Sequence, residues 1–304
     1  MKKNLLKIAV IIFAVIFLLL LLDYVCYYTY IGTKRNYKCL SNYISKFQNL
    51  SEKEIYQKHI LDSTTNRYVS PENINSKLKP VLLFGFSDVR SAYLSLDENI
   101  SKYLAKNTNR PIYNRVGPES TVNHMYYQLS NDNFYNLIPK PQYVLYFYRK
   151  RQMLVVNDKM DFCQHDFYYS FQNDKLNLIR GNLVQKSYLM SWINRKAFRN
   201  SFLRSLHINK NKKLFVELMK NSFDCVQKKW GKDVEFVIVQ TQKIEPCEKE
   251  MFDELQKYGF KLFDLNERLG SNNERFHMLI SYCMNSLYWE KAADILSKNL
   301  LKQQ

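Results

Sequence analysis

The sequence predicts a three-layer α/β/α domain built on a parallel five-stranded sheet and preceded by one transmembrane helix. The sheet follows from short apolar segments of strand length that alternate with longer segments of helical periodicity. Strands that alternate with helices indicate parallel pairing, because each helix returns the chain to the same end of the sheet. The membrane helix follows from an unbroken apolar run close to the N-terminus.

The apolar run extends from Ile8 to Leu22 and follows three lysines within the first seven residues. At about 1.5 Å per residue, the segment 5–28 is long enough to cross about 30 Å of hydrocarbon. The alternative is a cleaved signal peptide, but bulky residues follow the run where a cleavage site requires small ones. Because the lysines favour a cytoplasmic N-terminus, we expect a single-pass protein of the cell membrane. Its large domain would lie on the non-cytoplasmic side, periplasmic or extracellular.

The chain divides into three parts. Residues 1–33 form the cytoplasmic tip and the transmembrane anchor, and residues 34–75 have the apolar spacing of a stalk or a capping helix. Residues 76–304 form the folded domain, with an inserted region at 150–233 that interrupts the alternation. The predicted strands are 81–86, 112–116, 143–148, 234–240 and 261–265. The predicted helices outside the insertion are 92–104, 122–137, a helix from Pro246 to Gly259, and 286–300.

The inserted region is predicted to form a lid. Met153–Val156 and Leu176–Leu183 have the pattern of a small hairpin, while Tyr188–Leu206 and Leu214–Trp230 have the periodicity of two helices. Insertions at the carboxyl ends of parallel strands usually build the ligand cleft.

The chain is strongly basic. Of the formal net charge of +17, residues 1–33 contribute +2, which leaves +15 for the remainder. Such a charge suits anionic lipid or an anionic envelope glycan, although abundant Lys, Asn, Tyr and Ile also fit drift towards an A- and T-rich genome. No basic block is interleaved with aromatic residues, so no nucleic-acid binding is expected. The six cysteines lack CxxC spacing, and no metal or cofactor is expected.

The first candidate for chemistry is Ser87, which comes directly after the predicted strand 81–86 and before a helix. A serine there can expose its hydroxyl at the carboxyl edge of the sheet, with backbone N–H groups nearby to hold an oxyanion. The same position also suits a helix N-cap.

The region from about 80 to 300 resembles the SGNH/GDSL-type hydrolases. Five segments carry the resemblance: Gly85-Phe86-Ser87 is similar to the first block of the family, 112–120 to the second, 141–147 to the strand before the third, and 261–265 with 288–296 to the C-terminal strand and helix. The resemblance implies acyl-ester hydrolysis or acyl transfer on an envelope glycan or lipid. It also implies that Ser87 is the nucleophile and that the Ser87 and Gly117 backbone amides hold the oxyanion.

The chain departs from the family at three positions. Phe86 stands where the first block has an aspartate, and Arg149 begins a basic run where the third block has an oxyanion-hole asparagine. The histidine position before the last helix falls on Cys283 or Met284. The general base is therefore missing from its expected place. The basic run 149–151 is either a phosphate site at the mouth of the cleft or a solvated turn.

A displaced base is the remaining way to activate the serine. Glu274 lies three residues before His277, and such a pair can orient an imidazole for general-base catalysis. Its spacing to the last helix is several residues longer than in the family. We expect weak or no esterase activity unless His277 or His124 reaches Ser87. The second hypothesis is a catalytically inactive relative that binds a polymer or partner at the envelope.

Overall fold

The structure is a computed structural model that describes residues 11–25, 76–90, 98–116, 121–154, 156, 167–172, 175–180, 201–270, 277–278 and 281–301. Residues 11–25 form a helix whose apolar side chains are exposed. Among the described residues, no helix is both long and apolar enough to cross a membrane. The predicted stalk at 34–75 lies outside the described residues.

The centre of the domain is one parallel sheet of five strands: β1 (Val81–Gly85), β2 (Ile112–Asn114), β3 (Tyr143–Tyr148), β6 (Glu235–Gln240) and β7 (Lys261–Asp264). They lie in the order β2-β1-β3-β6-β7. Two antiparallel hairpins stand apart from this sheet and consist of β4 (Phe167–Gln172) with β5 (Lys175–Arg180) and β8 (His277–Met278) with β9 (Ser281–Met284). The predicted parallel pairing is confirmed.

Helices cover both faces of the sheet. The first face carries α2 (Val122–Leu129), α3 (Asp132–Leu137), α5 (Ser201–Trp230) and α6 (Pro246–Tyr258). The second face carries α1 (Ile100–Thr108) and α8 (Ser286–Asn299). Two short helices, α4 (Lys150–Leu154) and α7 (Leu265–Leu269), directly follow strands β3 and β7. The fold is therefore the predicted three-layer α/β/α arrangement.

Strand β3 shows why two helical layers form. All six of its residues are buried, and successive side chains of a strand point to opposite faces. Tyr146 and Tyr148 join the core of the first face, whereas Leu145 and Phe147 join the core of the second. A strand that is apolar on both faces is stable only between two covering layers.

The helix predicted over 122–137 is two helices. The first helix, α2, ends at Leu129, and the second, α3, starts at Asp132 after two non-helical residues, Ser130 and Asn131. The Tyr135 hydroxyl donates a hydrogen bond to the Leu129 carbonyl at 2.6 Å, which satisfies a carbonyl at the end of α2. The helical spacing of apolar residues continues across the two non-helical residues, so the sequence alone does not predict the interruption.

The inserted region also differs from its prediction. Met153 lies in helix α4, because the Gln152 side chain accepts the Arg149 amide at 3.1 Å and closes a helical turn. The hairpin forms instead between β4 and β5. The two helices predicted over 188–230 become one helix from Ser201, with residues 181–200 outside the described part of the chain.

Asn123 attaches the hairpin to the domain. This buried side chain donates to the Val156 carbonyl at 2.9 Å and accepts the Tyr169 amide of β4 at 3.2 Å. The ring of Tyr169 also packs edge-on against Tyr126 of α2, with centroids 4.9 Å apart. One asparagine therefore links helix α2, the end of α4 and the first hairpin.

We predict that Gly85→Ala destabilises the protein more than Gly270→Ala. Gly85 has φ of +148°, and an added Cβ would lie 2.8 Å from both Cβ and the carbonyl oxygen of Phe147. Backbone strain and overpacking each cost about 1–3 kcal/mol. Gly270 has φ of +79° with no heavy atom within 4 Å of the added Cβ, so it carries the backbone cost alone.

Urea unfolding of the full-length variants measures both free energies of unfolding. Equal losses for the two variants would contradict the proposed steric contact between the ends of β1 and β3.

Candidate active site

The strand order creates a crevice between the carboxyl ends of β1 and β3. The connection after β1 leads to β2 on one side, whereas the chain after β3 leads to β6 on the other. In open α/β sheets, ligands bind where neighbouring strands send their connections in opposite directions. The residues that follow β1 and β3 are therefore the candidates for a functional site.

Ser87 and Arg149 follow the ends of the paired strands β1 and β3. Gly85 pairs with Phe147 at the end of the parallel ladder, so Ser87 and Arg149 each come two positions later. Ser87 is the first residue of a 3₁₀ turn, Ser87–Arg90, at the carboxyl end of β1. The glycine lets β1 approach β3 closely at this point, because any Cβ would meet Phe147.

Arg149 lies across the crevice and contacts residues on both sides of Ser87. Its Nη1 donates to Asp88 Oδ2 at 2.9 Å, and its guanidinium carbon lies 5.4 Å from the ring centroid of Phe86. The Arg149 side chain is 28% exposed and that of Asp88 is 10% exposed. A carboxylate at position 88 therefore orders this loop.

The three basic residues after β3 are not a simple solvated turn. Arg149 pairs with Asp88, and Lys150 pairs with Glu245 at the start of α6. Two of the three charges therefore connect β3 to neighbouring elements, which sequence reasoning missed because the partners are distant in the chain.

Asn114 holds the loop after β1 against β2 and α1. Its Nδ2 donates to the Val89 carbonyl at 3.1 Å and to Ser101 Oγ at 2.9 Å, while its Oδ1 accepts the Val116 amide at 3.1 Å. A polar residue at the end of an apolar strand is the one sequence signal that indicates this role.

The first turn of α8 packs beside the same loop. Burial raises the pKa of Tyr288, the positive charge of Arg149 opposes this shift, and the negative charge of Asp88 adds to it. Both charges therefore act on the Tyr288 phenol. The second core cluster also contains Phe86, Val89 and Tyr288.

The hairpin β8–β9 brings residue 277 back to the start of α8. Strand β9 ends at Met284, and Asn285 then caps α8 by accepting the Tyr288 amide at 3.0 Å. In the hairpin ladder, His277 pairs with Met284, and the register shifts between residues 277 and 278. Directly opposed residues of antiparallel strands have Cα atoms about 4.5–5.5 Å apart. The backbone at residue 277 thus lies beside Met284, one of the two positions where the family pattern expects a histidine.

His124 has a helix-capping role. Its Nδ1 lies 3.3 Å from the Thr121 amide and 3.2 Å from Thr121 Oγ1, and the two residues form a capping box at the start of α2. An amide that donates to Nδ1 leaves the proton of a neutral imidazole on Nε2.

The structure describes some of the predicted site residues and not others. The backbones of Ser87 and His277 belong to the first turn after β1 and to β8. Gly117 and Glu274 lie outside the described residues. Because β1 and β2 are parallel, the chain leaves both strands at the same edge of the sheet.

A second polar pair lies at the same edge, on the first face of the sheet. The Tyr148 hydroxyl donates to Glu248 Oε1, and both side chains are fully buried. The Glu245 amide donates to Glu248 Oε2 at 2.9 Å, which makes Glu248 part of the capping box of α6. Burial raises the pKa of Tyr148, and the hydrogen bond to Glu248 raises it further.

The sequence matches no protein-family model and no curated protein. Among solved structures, the chain is similar to an acetyl xylan esterase from the rumen bacterium Butyrivibrio proteoclasticus, with 11% identity and a TM-score of 0.42. That match covers 72% of this chain and 62% of the esterase, so the chain spans less than two thirds of that protein. It is also similar to a lipase from a goat rumen metagenome, with 8% identity, a TM-score of 0.45 and coverage of 72% and 95%.

We predict that Tyr148→Phe lowers the free energy of unfolding by about 1–3 kcal/mol, because a buried carboxylate loses a donor. The matched control is Tyr258→Phe, since the exposed Tyr258 hydroxyl donates to Asp224 at 2.8 Å. Its loss should stay below about 1 kcal/mol.

The raised pKa of Tyr148 also fixes the sign of a pH effect. The neutral phenol contributes stability that is fully present below about pH 10, the value for an unfolded tyrosine, and is lost at higher pH. Urea unfolding at pH 7 and pH 11 should therefore show a smaller alkaline loss for Tyr148→Phe than for wild type. Identical pH dependence in both proteins would contradict this assignment.

Proposed function

We propose that this protein is an acyl-ester hydrolase or acyltransferase of the SGNH type, with Ser87 as nucleophile and His277 as general base. The observation that carries the proposal is the backbone pairing of His277 with Met284. In the sequence, the histidine stands several residues too far from the last helix. The hairpin folds the chain back, so that the backbone of residue 277 lies opposite Met284 near the start of α8.

The neighbourhood of Ser87 supports the nucleophile assignment. Ser87 follows the strand that ends at the crevice, and its two neighbours, Phe86 and Asp88, both contact Arg149. Tyr288, in the first turn of α8, belongs to the same core cluster as Phe86 and Val89 on either side of Ser87, and β9 ends at Met284 shortly before that turn.

The proposed reaction is a two-step acyl transfer. His277 takes the proton of the Ser87 hydroxyl as the serine oxygen attacks the ester carbonyl, and Glu274 orients the imidazole. The Ser87 and Gly117 amides hold the resulting oxyanion. The imidazolium then protonates the departing alcohol and leaves an acyl-serine. Water completes a hydrolysis, whereas a hydroxyl of an envelope glycan or lipid completes a transfer.

The alternative is an inactive relative that binds a ligand at the same crevice. The sequence supports this alternative, because the asparagine and the histidine of the resembling family are absent from their expected positions. Both hypotheses use the same edge of the sheet. They differ in whether the Ser87 hydroxyl is activated.

We predict that a fluorophosphonate probe labels the full-length protein and that Ser87→Ala abolishes the labelling. His277→Ala should lower the labelling rate and the hydrolysis of short acyl esters by about 10³-fold or more, because the serine loses its base. The control is His124→Gln, which removes the imidazole of α2 and retains the capping box. It should keep nearly wild-type activity.

Three outcomes separate the hypotheses. Labelling that Ser87→Ala abolishes and His277→Ala leaves unchanged would point to another base. A loss in His124→Gln, with His277→Ala active, would assign that base to α2. No labelling of a folded wild-type protein would support the inactive binding protein.

We further propose that residues 5–28 anchor the protein in the cell membrane, with the α/β domain on the non-cytoplasmic side. The helix at 11–25, whose apolar side chains are exposed, supports this proposal. So do the lysines at the N-terminus, which favour a cytoplasmic location for that end. The substrate would then be an acylated glycan or lipid of the envelope.

We predict that the full-length protein stays with membranes after an alkaline carbonate wash and that external protease digests it beyond about residue 35. Leu18→Lys should reduce the membrane fraction, since a lysine at the centre of a membrane helix costs about 2.5–3.5 kcal/mol. Leu18→Ala is the control and should remain in the membrane. A soluble product with a new N-terminus near residue 30 would contradict the anchor.

A further inference from the structure

Arg149 is held in place from two directions. Asp88 Oδ2 accepts a hydrogen bond from Nη1 at 2.9 Å, and the guanidinium carbon lies 5.4 Å from the ring centroid of Phe86. The backbone of the same residue is fixed as well, because its amide donates to Gln152 Oε1 at 3.1 Å. The cation is therefore oriented before any ligand arrives.

Most N–H groups of this guanidinium make no hydrogen bond to the described residues. A guanidinium carries five N–H donors in a planar fork. Within the described part of the chain, the hydrogen bond that the Arg149 side chain makes is the one from Nη1 to Asp88. At 28% exposure, the remaining donors can reach a ligand in the crevice.

Other cations at this edge are committed to structural contacts. Lys150 pairs with Glu245. Arg115 donates from Nε to Gln128 Oε1 at 2.8 Å and lies 5.1 Å from the ring centroid of Phe134. Among the described side chains, Arg149 is the cation that contacts both Phe86 and Asp88, the two neighbours of Ser87.

We propose that Arg149 is the charged donor of an oxyanion site beside Ser87, with Asp88 as its positioning residue. This inference rests on the proposed function and adds the group that stabilises the transition state. Preorganised donors act most strongly where negative charge develops, and hydrogen bonds from a charged donor are roughly twice as strong as neutral ones. A guanidinium thus replaces the amide that the resemblance leads one to expect.

The step is a balanced addition and elimination. The serine oxygen forms a bond to the carbonyl carbon, the π electrons of the carbonyl move to its oxygen, and the serine proton passes to His277. Arg149 donates hydrogen bonds to the new oxyanion and transfers no proton. When the carbonyl re-forms, the bond to the alcohol oxygen breaks and the alcohol takes the proton from His277.

The test compares Arg149→Gln with Lys150→Gln in the full-length protein. Lys150 is the adjacent basic residue, and its charge belongs to a different ion pair. The first readout is the kcat and KM for a neutral short-chain p-nitrophenyl ester. The second is the equilibrium dissociation constant of methylphosphonate, a tetrahedral anion whose binding requires no turnover.

Arg149→Gln should lower kcat by about 10²–10³-fold with little change in KM, as expected when one oxyanion donor is lost. It should also weaken methylphosphonate binding by about tenfold or more. Arg149→Lys should fall between wild type and Arg149→Gln, because it retains the charge and loses the planar fork. Lys150→Gln should resemble wild type in both readouts.

A second variant distinguishes the loss of the Arg149 donor from a folding defect. Arg149→Gln leaves Asp88 nearly buried without this cation, whereas the double variant Arg149→Gln with Asp88→Asn removes both charges. The double variant should fold like wild type and show the same losses in kcat and in anion binding as Arg149→Gln.

The outcomes distinguish this inference from the proposed function. Ser87-dependent turnover with unchanged kcat and unchanged anion binding in Arg149→Gln would overturn the role of Arg149 alone. A change confined to KM would also overturn it, since it would make Arg149 a substrate-binding residue. If wild type shows no turnover and no Ser87 labelling, the proposed function fails. In that case methylphosphonate binding still tests the role of Arg149. Equal dissociation constants for wild type and Arg149→Gln would overturn the inference.

Discussion

The close approach of β1 to β3 at Gly85 is the constraint on which the candidate site depends. An added Cβ would lie 2.8 Å from Phe147, so the two strands can end side by side because one of them ends in glycine. Ser87 and Arg149 each follow this strand pair by two residues, and the ion pair between Arg149 and Asp88 joins the two loops. A wider spacing would separate the loop from the cation. The packing of Gly85 against Phe147, two residues before Ser87 and Arg149, therefore determines the geometry of the site.

Different contacts hold the helices against the two faces of the sheet. On the first face, Tyr148 and Glu248 tie β3 to α6, and Asn123 ties the inserted hairpin to α2. On the second face, Trp289 packs edge-on against Phe147, with centroids 6.1 Å apart, and α8 covers the core beneath the crevice. Because β3 contributes alternate residues to both cores, a change in one layer is transmitted to the other through a single strand.

Local signals in the sequence predict the regular elements well. Strand β3 agrees with its predicted bounds, since six consecutive apolar residues of that length suit a strand buried on both faces. Helix α6 starts at Pro246 and ends before Gly259, as proline and glycine at those positions predict. The predicted strand at 153–156 was wrong, because the Gln152 side chain caps a helical turn there. Long-range partners are not encoded locally: Arg149 pairs with Asp88 across 61 residues of sequence.

The pairing of His277 with Met284 changes what a sequence motif can detect. A motif counts residues along the chain, whereas a hairpin ladder relates residues across a turn. Insertions or deletions within the turn alter the count and leave the opposed pair unchanged. A histidine carried on such a hairpin can therefore drift in position over evolution while it remains beside the same helix. Searches for related proteins should then score the hairpin as a unit of variable length, in place of a fixed interval before the last helix.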